Sequence, residues 1–243
     1  MTTWRDVEDV LSEAEAAQLR ADVRQELLEP GMIPKVMSAM AGSQEPQHQA
    51  KALFVLGPSA AGKSHALRQG GVAVPAGAVT LDGGYIRQTS SQWGKALKMA
   101  EEKGLAGFGN FFKEYFKGPM DKLKKQVVDQ AIEKRTNVVV PDTASNVKST
   151  LAMMDRLLGA GYSLSVVAVY ADREVCESRG TSREKEEGKK FTSKNWKASV
   201  QAILEVQSYL DTRGEAGVSP AVVVFNNTDR LHQITLEALG AKL

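Results

Sequence analysis

Apolar residues follow two rhythms along this chain. Short continuous runs occur at 52–56, 78–81, 137–140, 164–170 and 221–225. Runs of this length, rich in valine and leucine and bounded by polar residues, predict strands buried on both faces. Between them apolar positions recur every three or four residues. Met120, Leu123, Val127 and Ala131 form one set, Leu151, Met154 and Leu158 a second, and Trp196, Val200, Ile203 and Leu210 a third. That spacing predicts helices. Buried strands alternating with helices predict an α/β fold, a three-layer α/β/α arrangement with a parallel sheet of about five strands.

The segment before the first strand has a different pattern. Residues 12–28 predict a helix: Ser12 and Glu15 have capping-box spacing, and Leu19, Val23 and Leu27 share a face. Glu29-Pro30-Gly31 ends it, residues 33–40 predict a second helix, and 42–49 read as a polar linker. The expected organisation is a helical appendage with its linker over 1–49 and a main domain over 50–243. No internal repeat or low-complexity tract interrupts it.

The first strand runs into Gly57-Pro58-Ser59-Ala60-Ala61-Gly62-Lys63-Ser64, followed by a helical stretch that Gly70-Gly71 breaks. Strand, glycine-bounded loop, Lys-Ser and helix form the P-loop template, which expects a nucleotide. A phosphate chain needs several N–H donors converging on it, and only small residues let the backbone come that close. Lys63 can reach the β- and γ-phosphates, and the Ser64 hydroxyl can sit on Mg²⁺. His65 reads as a helix-surface residue.

In parallel sheets, ligands bind beyond the carboxyl ends of the strands. Asp82 follows the second strand, with Arg87 five residues on; Asp142 and Thr143 follow the third. One carboxylate would accept a proton from an attacking hydroxyl and the other would order the metal. Asp82 is favoured as base and Asp142 for the metal side, though the reverse assignment and simple turn or cap roles stay open. After the fourth strand a charged stretch carries Arg173, Arg179, Arg183, Lys189 and Lys190. It reads either as a solvated helix or as a lid closing over phosphates. Between the second and third strands, Phe108, Phe111, Phe112, Tyr115 and Phe116 crowd beside lysines. They and Trp93 could stack on a base, or pack as core. Asn226 and Asn227, past the last strand, could touch an adenine edge or make a turn.

Composition narrows the picture. The chain has 243 residues, 42% of them hydrophobic and 25% charged, enough for a full core. A net charge of +2 supplies no global field that demands nucleic acid. The single Cys176 excludes an internal disulfide framework and reads as structural. No apolar run is long enough to span a bilayer, and the acidic N-terminal stretch lacks an apolar signal core. A reducing, cytoplasmic location without membrane attachment is expected.

The spaced motifs GPSAAGKS, LDGGYIR, NVVVPDT, GYSLSVVAVYADRE, the Arg183-centred stretch with GKKF, and FNN together resemble the zeta-toxin family of P-loop kinases. They are also similar to chloramphenicol phosphotransferases in the P-loop and to adenylyl-sulfate kinases in the LDG motif. The resemblance implies an ATP- and Mg²⁺-dependent kinase acting on a hydroxyl of a small molecule or a nucleotide-sugar such as UDP-N-acetylglucosamine. By the same resemblance Lys63 and Ser64 bind phosphate and metal, Arg87 and Thr143 face the acceptor, Arg183 is the lid arginine, and Lys189 or Lys190 stands for a second one. An antitoxin-like protein partner would fit. Three positions depart from the family pattern. Gly84 stands where a second Asp acts as base, Pro141-Asp142 replaces a Glu expected for the sugar, and lysine replaces an arginine fork. The nucleotide half of the site is therefore expected intact and the acceptor half altered. A polynucleotide 5′-hydroxyl kinase and a non-catalytic ATP-binding module are the competing expectations.

Overall fold

The structure, a computed structural model, describes residues 3–69, 71–187, 190–213 and 221–243. In chain order the elements are β1 (Thr3–Arg5), α1 (Glu13–Leu28), α2 (Met32–Ala41), β2 (Lys51–Leu56), α3 (Lys63–Arg68), β3 (Val79–Thr80), α4 (Gly83–Thr89) and α5 (Ser91–Glu102). They continue with β4 (Leu105–Phe108), α6 (Lys117–Glu133), β5 (Val138–Asp142), α7 (Val147–Gly159), β6 (Ser163–Tyr170), α8 (Arg173–Glu187), α9 (Trp196–Arg213), β7 (Val223–Asn226), β8 (His232–Ile234) and α10 (Leu236–Gly240). Every expected strand and helix is present. The chain divides into two compact units, one of Met1–Gly42, Leu81–Gln130 and Thr181–Phe191, the other of Ser43–Thr80, Ala131–Gly180 and Thr192–Leu243.

The second unit holds a six-stranded sheet in the order β3-β5-β2-β6-β7-β8. The five expected strands are parallel, and β8 adds an antiparallel edge. Beyond its exposed first residue, β2 is buried throughout, which is why KALFVL shows no alternation. Its neighbours are β5 and β6, so the sheet reverses its winding direction at β2. The linker before β2 is riveted by Asn137, which is fully buried. Its Oδ1 accepts from the N–H groups of Gln49 and Lys51 at 3.2 and 3.1 Å, and its Nδ2 donates to the Ala76 carbonyl at 2.9 Å. A polar residue at the start of an apolar strand is paid for here by complete pairing.

The first unit is mainly helical, with a parallel pair of short strands, β1 and β4. The capping box of α1 forms as expected: Ser12 N–H donates to Glu15 Oε2 at 2.8 Å, and Glu15 N–H to Ser12 Oγ at 3.4 Å. The aromatic cluster is core. Trp93, Phe108, Phe111, Tyr115 and Phe116 are each at most 4% exposed, with the Trp93 and Phe116 rings edge to face at 4.9 Å. A single π turn over Phe112–Phe116 makes this packing possible, because its wider spacing brings the adjacent Tyr115 and Phe116 inward together. Two of the neighbouring lysines pair along α6, Lys117 with Asp121 at 2.7 Å and Lys125 with Asp129 at 3.7 Å. The core alternative is thus the one observed for these five rings.

One polar contact joins α1 to the junction of α4 and α5. Ser90 is the C-cap of α4 and the N-cap of α5. The Glu26 carboxylate accepts from Ser90 Oγ and Ser91 N–H, both at 2.6 Å, and from Gln92 N–H at 3.2 Å. Burial pushes this carboxyl up, and the hydrogen bonds from Ser90, Ser91 and Gln92 outweigh it, leaving the group below its ordinary value. Glu26→Ala should therefore lower stability by about 1–2 kcal/mol, the partly exposed site keeping the figure low. A group held low contributes above its unfolded pKa and loses that contribution as pH falls through the folded value. Urea unfolding curves of mutant and wild type should thus differ at pH 7 and converge below about pH 4. Equal midpoints at pH 7 would show the clamp to be idle.

Candidate active site

In the sheet-bearing unit, β2 delivers its carboxyl end into the loop Gly57–Ser64. Gly57 has φ +139°, and a Cβ there would lie 2.0 Å from the Val169 carbonyl oxygen on β6. Its N–H donates to the Asp142 carbonyl at 3.2 Å, which ties the start of the loop to the end of β5. Ala60 and Gly62 are both left-handed, at φ +63° and +96°, so the backbone curls twice within three residues. The N–H groups of Ser59, Ala60, Gly62 and Ser64 take no protein acceptor among the described residues. Lys63 Nζ donates to the Gly57 and Pro58 carbonyls at 2.7 and 3.0 Å, so its charge arches back over the loop. Small residues, inward-curling backbone and a held cation form an anion cradle.

Asp142 closes one side of this cradle through its backbone, being registered with Leu56 across β2 and β5. Its carboxylate accepts from Ala144 N–H at 3.1 Å and from Thr150 Oγ1 at 2.9 Å. The turn role that Asp142 could have played is thus realised, and it fixes the carboxylate beyond the strand end. Thr143 is half-buried, and its hydroxyl meets that of Ser145 at 3.2 Å. Among the described residues no group of three or more His, Cys, Asp or Glu could hold a metal by itself. A Mg²⁺ carried on phosphates needs only one or two protein oxygens, and Ser64 with Asp142 can supply them.

Beside the loop opens a cleft of about 770 Å³, lined by Gly62, His65, Arg179, Phe225, Asn227 and Arg230 among others. The Asn226 amide oxygen accepts from Thr228 N–H at 3.0 Å. It therefore closes a turn past the strand. Arg179 is one of six basic residues in the charged stretch. Here its Nη2 donates to the Thr228 carbonyl at 3.1 Å, while its Nη1 is buried without a hydrogen-bond partner among the described residues. A buried guanidinium nitrogen left unpaired at a cleft wall fits an acceptor-bearing ligand. Helical spacing could have found it, since Arg179 lies one turn after the buried Cys176. Cys176 itself is structural: its thiol donates to the Ala171 carbonyl at 3.6 Å, and burial pushes its pKa up to about 11.

The helical unit carries Asp82, Arg87 and Arg183. Asp82 is the N-cap of α4, its Oδ1 accepting from Gly84 N–H at 2.8 Å. Gly84 is not imposed by the backbone: its φ is not positive, and a Cβ would come no nearer than 3.4 Å to Asp82 Oδ1. Arg87, in the last turn of α4, lies over the Trp93 ring with its Cζ 5.7 Å from the centroid. Arg183 is exposed on α8, and Lys190 is exposed beyond it. Phe191 N–H donates to Glu184 Oε1 at 2.8 Å, which folds the chain back after the helix. Lys189 lies outside the described residues. No helix among the described residues is long and apolar enough to cross a membrane.

Comparison with known proteins places this geometry. The fold is similar to a chain of the PezAT chromosomal toxin–antitoxin system of Streptococcus pneumoniae, with a TM-score of 0.58, 15% identity, and coverage of 89% of this chain and 82% of that one. It is also similar to a chain of the AvrRxo1-ORF1:AvrRxo1-ORF2 complex with sulphate ions, with a TM-score of 0.51, 12% identity, and coverage of 90% of this chain and 66% of that one. At such identities the likeness is one of fold. No curated protein matches the sequence. The zeta toxin family profile matches residues 37–237, a span that contains the whole anion cradle, and the chain therefore belongs to the zeta toxin family of P-loop kinases.

Proposed function

We propose that this protein is an ATP-dependent phosphotransferase. It moves the γ-phosphate to a hydroxyl of a small molecule or nucleotide-sugar, with UDP-N-acetylglucosamine as the leading acceptor. The observation that carries this reading is the loop Gly57–Ser64, where four N–H groups take no protein acceptor among the described residues and the lysine is held by the Gly57 and Pro58 carbonyls.

Each residue then has a task. The loop N–H groups and Lys63 hold the phosphates and stabilise charge that grows on them during transfer. Mg²⁺, ligated by Ser64 and ordered on the side of Asp142, would neutralise phosphate charge. The cleft at Arg179 and Phe225 takes the adenine end. Asp82 accepts the proton of the attacking hydroxyl, the second Asp of the family pattern being absent at Gly84. Arg87 and Thr143 bind the acceptor, and Arg183, aided by Lys189, offsets transition-state charge. Residues 50–243 form the kinase domain and 1–49 its appendage. The PezAT likeness suggests an antitoxin-like protein partner, and a cytoplasmic site of action follows from ATP use.

The test is incubation with Mg·ATP and a panel of nucleotide-sugars led by UDP-N-acetylglucosamine. ADP release and a gain of one phosphate by the acceptor are the readouts. Acceptor-dependent ADP is expected, and Asp82→Asn should reduce it about 10²-fold or more. Tight ATP binding without transfer to any acceptor would favour the non-catalytic module. Transfer only to oligonucleotide 5′ ends would favour the polynucleotide kinase.

A further inference from the structure

We propose that Asn227 is a positioning residue for phosphate binding, setting the direction of a P-loop N–H rather than reading the base. This inference rests on the nucleotide-binding part of the function proposed above. Asn227 is 5% exposed, and its Nδ2 donates to the Ala61 carbonyl at 2.9 Å. All peptide bonds among the described residues are trans. In a planar trans peptide the C=O and the following N–H point in opposite directions. Fixing the Ala61 carbonyl outward on Asn227 therefore turns the Gly62 N–H the other way. That N–H is one of those without a protein acceptor.

The contact is built to be stiff. Asn227 N–H donates to the Tyr170 carbonyl at 2.7 Å, binding the end of β7 to the end of β6. The next residue is held on both sides. Thr228 Oγ1 accepts from Asp172 N–H at 3.0 Å, and the Thr228 carbonyl accepts from Arg179 Nη2. The amide also fills the space beside the loop: a Cβ at Gly62 would lie 2.1 Å from Asn227 Nδ2. Gly62, at φ +96°, has backbone freedom to turn its peptide, and Asn227 removes that freedom. Among the described residues no backbone N–H bonds the Ala61 carbonyl, and this side chain does.

The experiment compares Mg·ATP and Mg·tripolyphosphate by calorimetry, and adenosine by NMR titration, on wild type, Asn227→Ala and Asn227→Asp. A strut role predicts that both polyphosphate ligands weaken together, about tenfold in Asn227→Ala and further in Asn227→Asp, where a carboxylate faces the Ala61 carbonyl. Adenosine should stay within about twofold, since it uses no loop N–H. Weakened ATP with unchanged tripolyphosphate would make Asn227 a base reader and overturn the inference, as would unchanged binding of all three. Should Asn227→Ala fail to fold, Asn227→Ser, which keeps a donor in a smaller side chain, carries the same comparison. If wild type binds neither ATP nor tripolyphosphate, the nucleotide reading falls and this inference falls with it. Binding by wild type that survives substitution at 227 removes the inference alone.

Discussion

Lys63→Ala should lower phosphoryl transfer about 10²–10³-fold, the loss typical of removing one preorganised charge donor. Its unfolding midpoint should stay within about 0.5 kcal/mol of wild type. The reasoning starts from where the ammonium sits. Its partners include the Gly57 and Pro58 carbonyls of its own loop, and the residue is only half-buried. It therefore supports little of the core. In the proposed reading its value lies in a charge held at the loop that would take the phosphates. Lys63→Arg should fail almost as badly, because a planar fork cannot replace a compact ammonium bonded to two carbonyls. A coupled ADP assay with acceptor, alongside thermal unfolding by circular dichroism, separates the two effects. Transfer within tenfold of wild type would remove Lys63 from the mechanism.

Gly57→Ala should have the largest effect on the fold itself, about 3–5 kcal/mol. Backbone strain at φ +139° contributes about 1–3 kcal/mol of it and overpacking the remainder. The added methyl would meet the Val169 carbonyl oxygen at 2.0 Å and its carbon at 3.0 Å. Both atoms belong to β6, whose backbone is locked to β2 and β7, so neither can swing aside. Gly62→Ala differs in kind. Its obstacle is the Asn227 amide rather than strand backbone, so relieving the clash displaces the strut; stability should fall less than at Gly57, and phosphate binding more. Gly84→Ala serves as the control, with no neighbour closer than 3.4 Å and an expected change within about 0.5 kcal/mol. Urea unfolding of the three variants tests the ranking, and a Gly57→Ala protein as stable as wild type would refute the loop geometry.

The sheet and the loop were legible because their signals are local. KALFVL followed by GPSAAGKS needs no distant residue to be interpreted, and the capping box at Ser12 and Glu15 lies within one turn. The strands β1, β4 and β8 escaped notice because each is short and its pairing is set by a partner far away in sequence, as Thr3 is with Leu105. The aromatic residues around Phe111 could be read two ways, since stacking platforms and cores share a composition. Only burial separates them. Asn226 and Asn227 show the limit most sharply. Two identical neighbours do different work, one closing a turn on Thr228 and the other holding Ala61, and only the direction of each side chain tells them apart. Arg179 was lost among similar charges for the same reason.

The sheet order also imposes a timetable on synthesis. β2 leaves the ribosome early, yet its partners are β5 and β6, and the first of these follows roughly 80 residues later, several seconds at ordinary elongation rates. Through that interval the most apolar strand of the protein has both edges unpaired, a state that invites pairing with other chains and calls for a chaperone's cover. The loop it carries is no nearer completion, because the side chain that orients the Ala61–Gly62 peptide comes from beyond β7. A nascent chain halted before residue 227 would carry every residue of the P-loop motif and still lack its strut. Kinase competence is in this sense withheld by topology until translation has passed the last parallel strand.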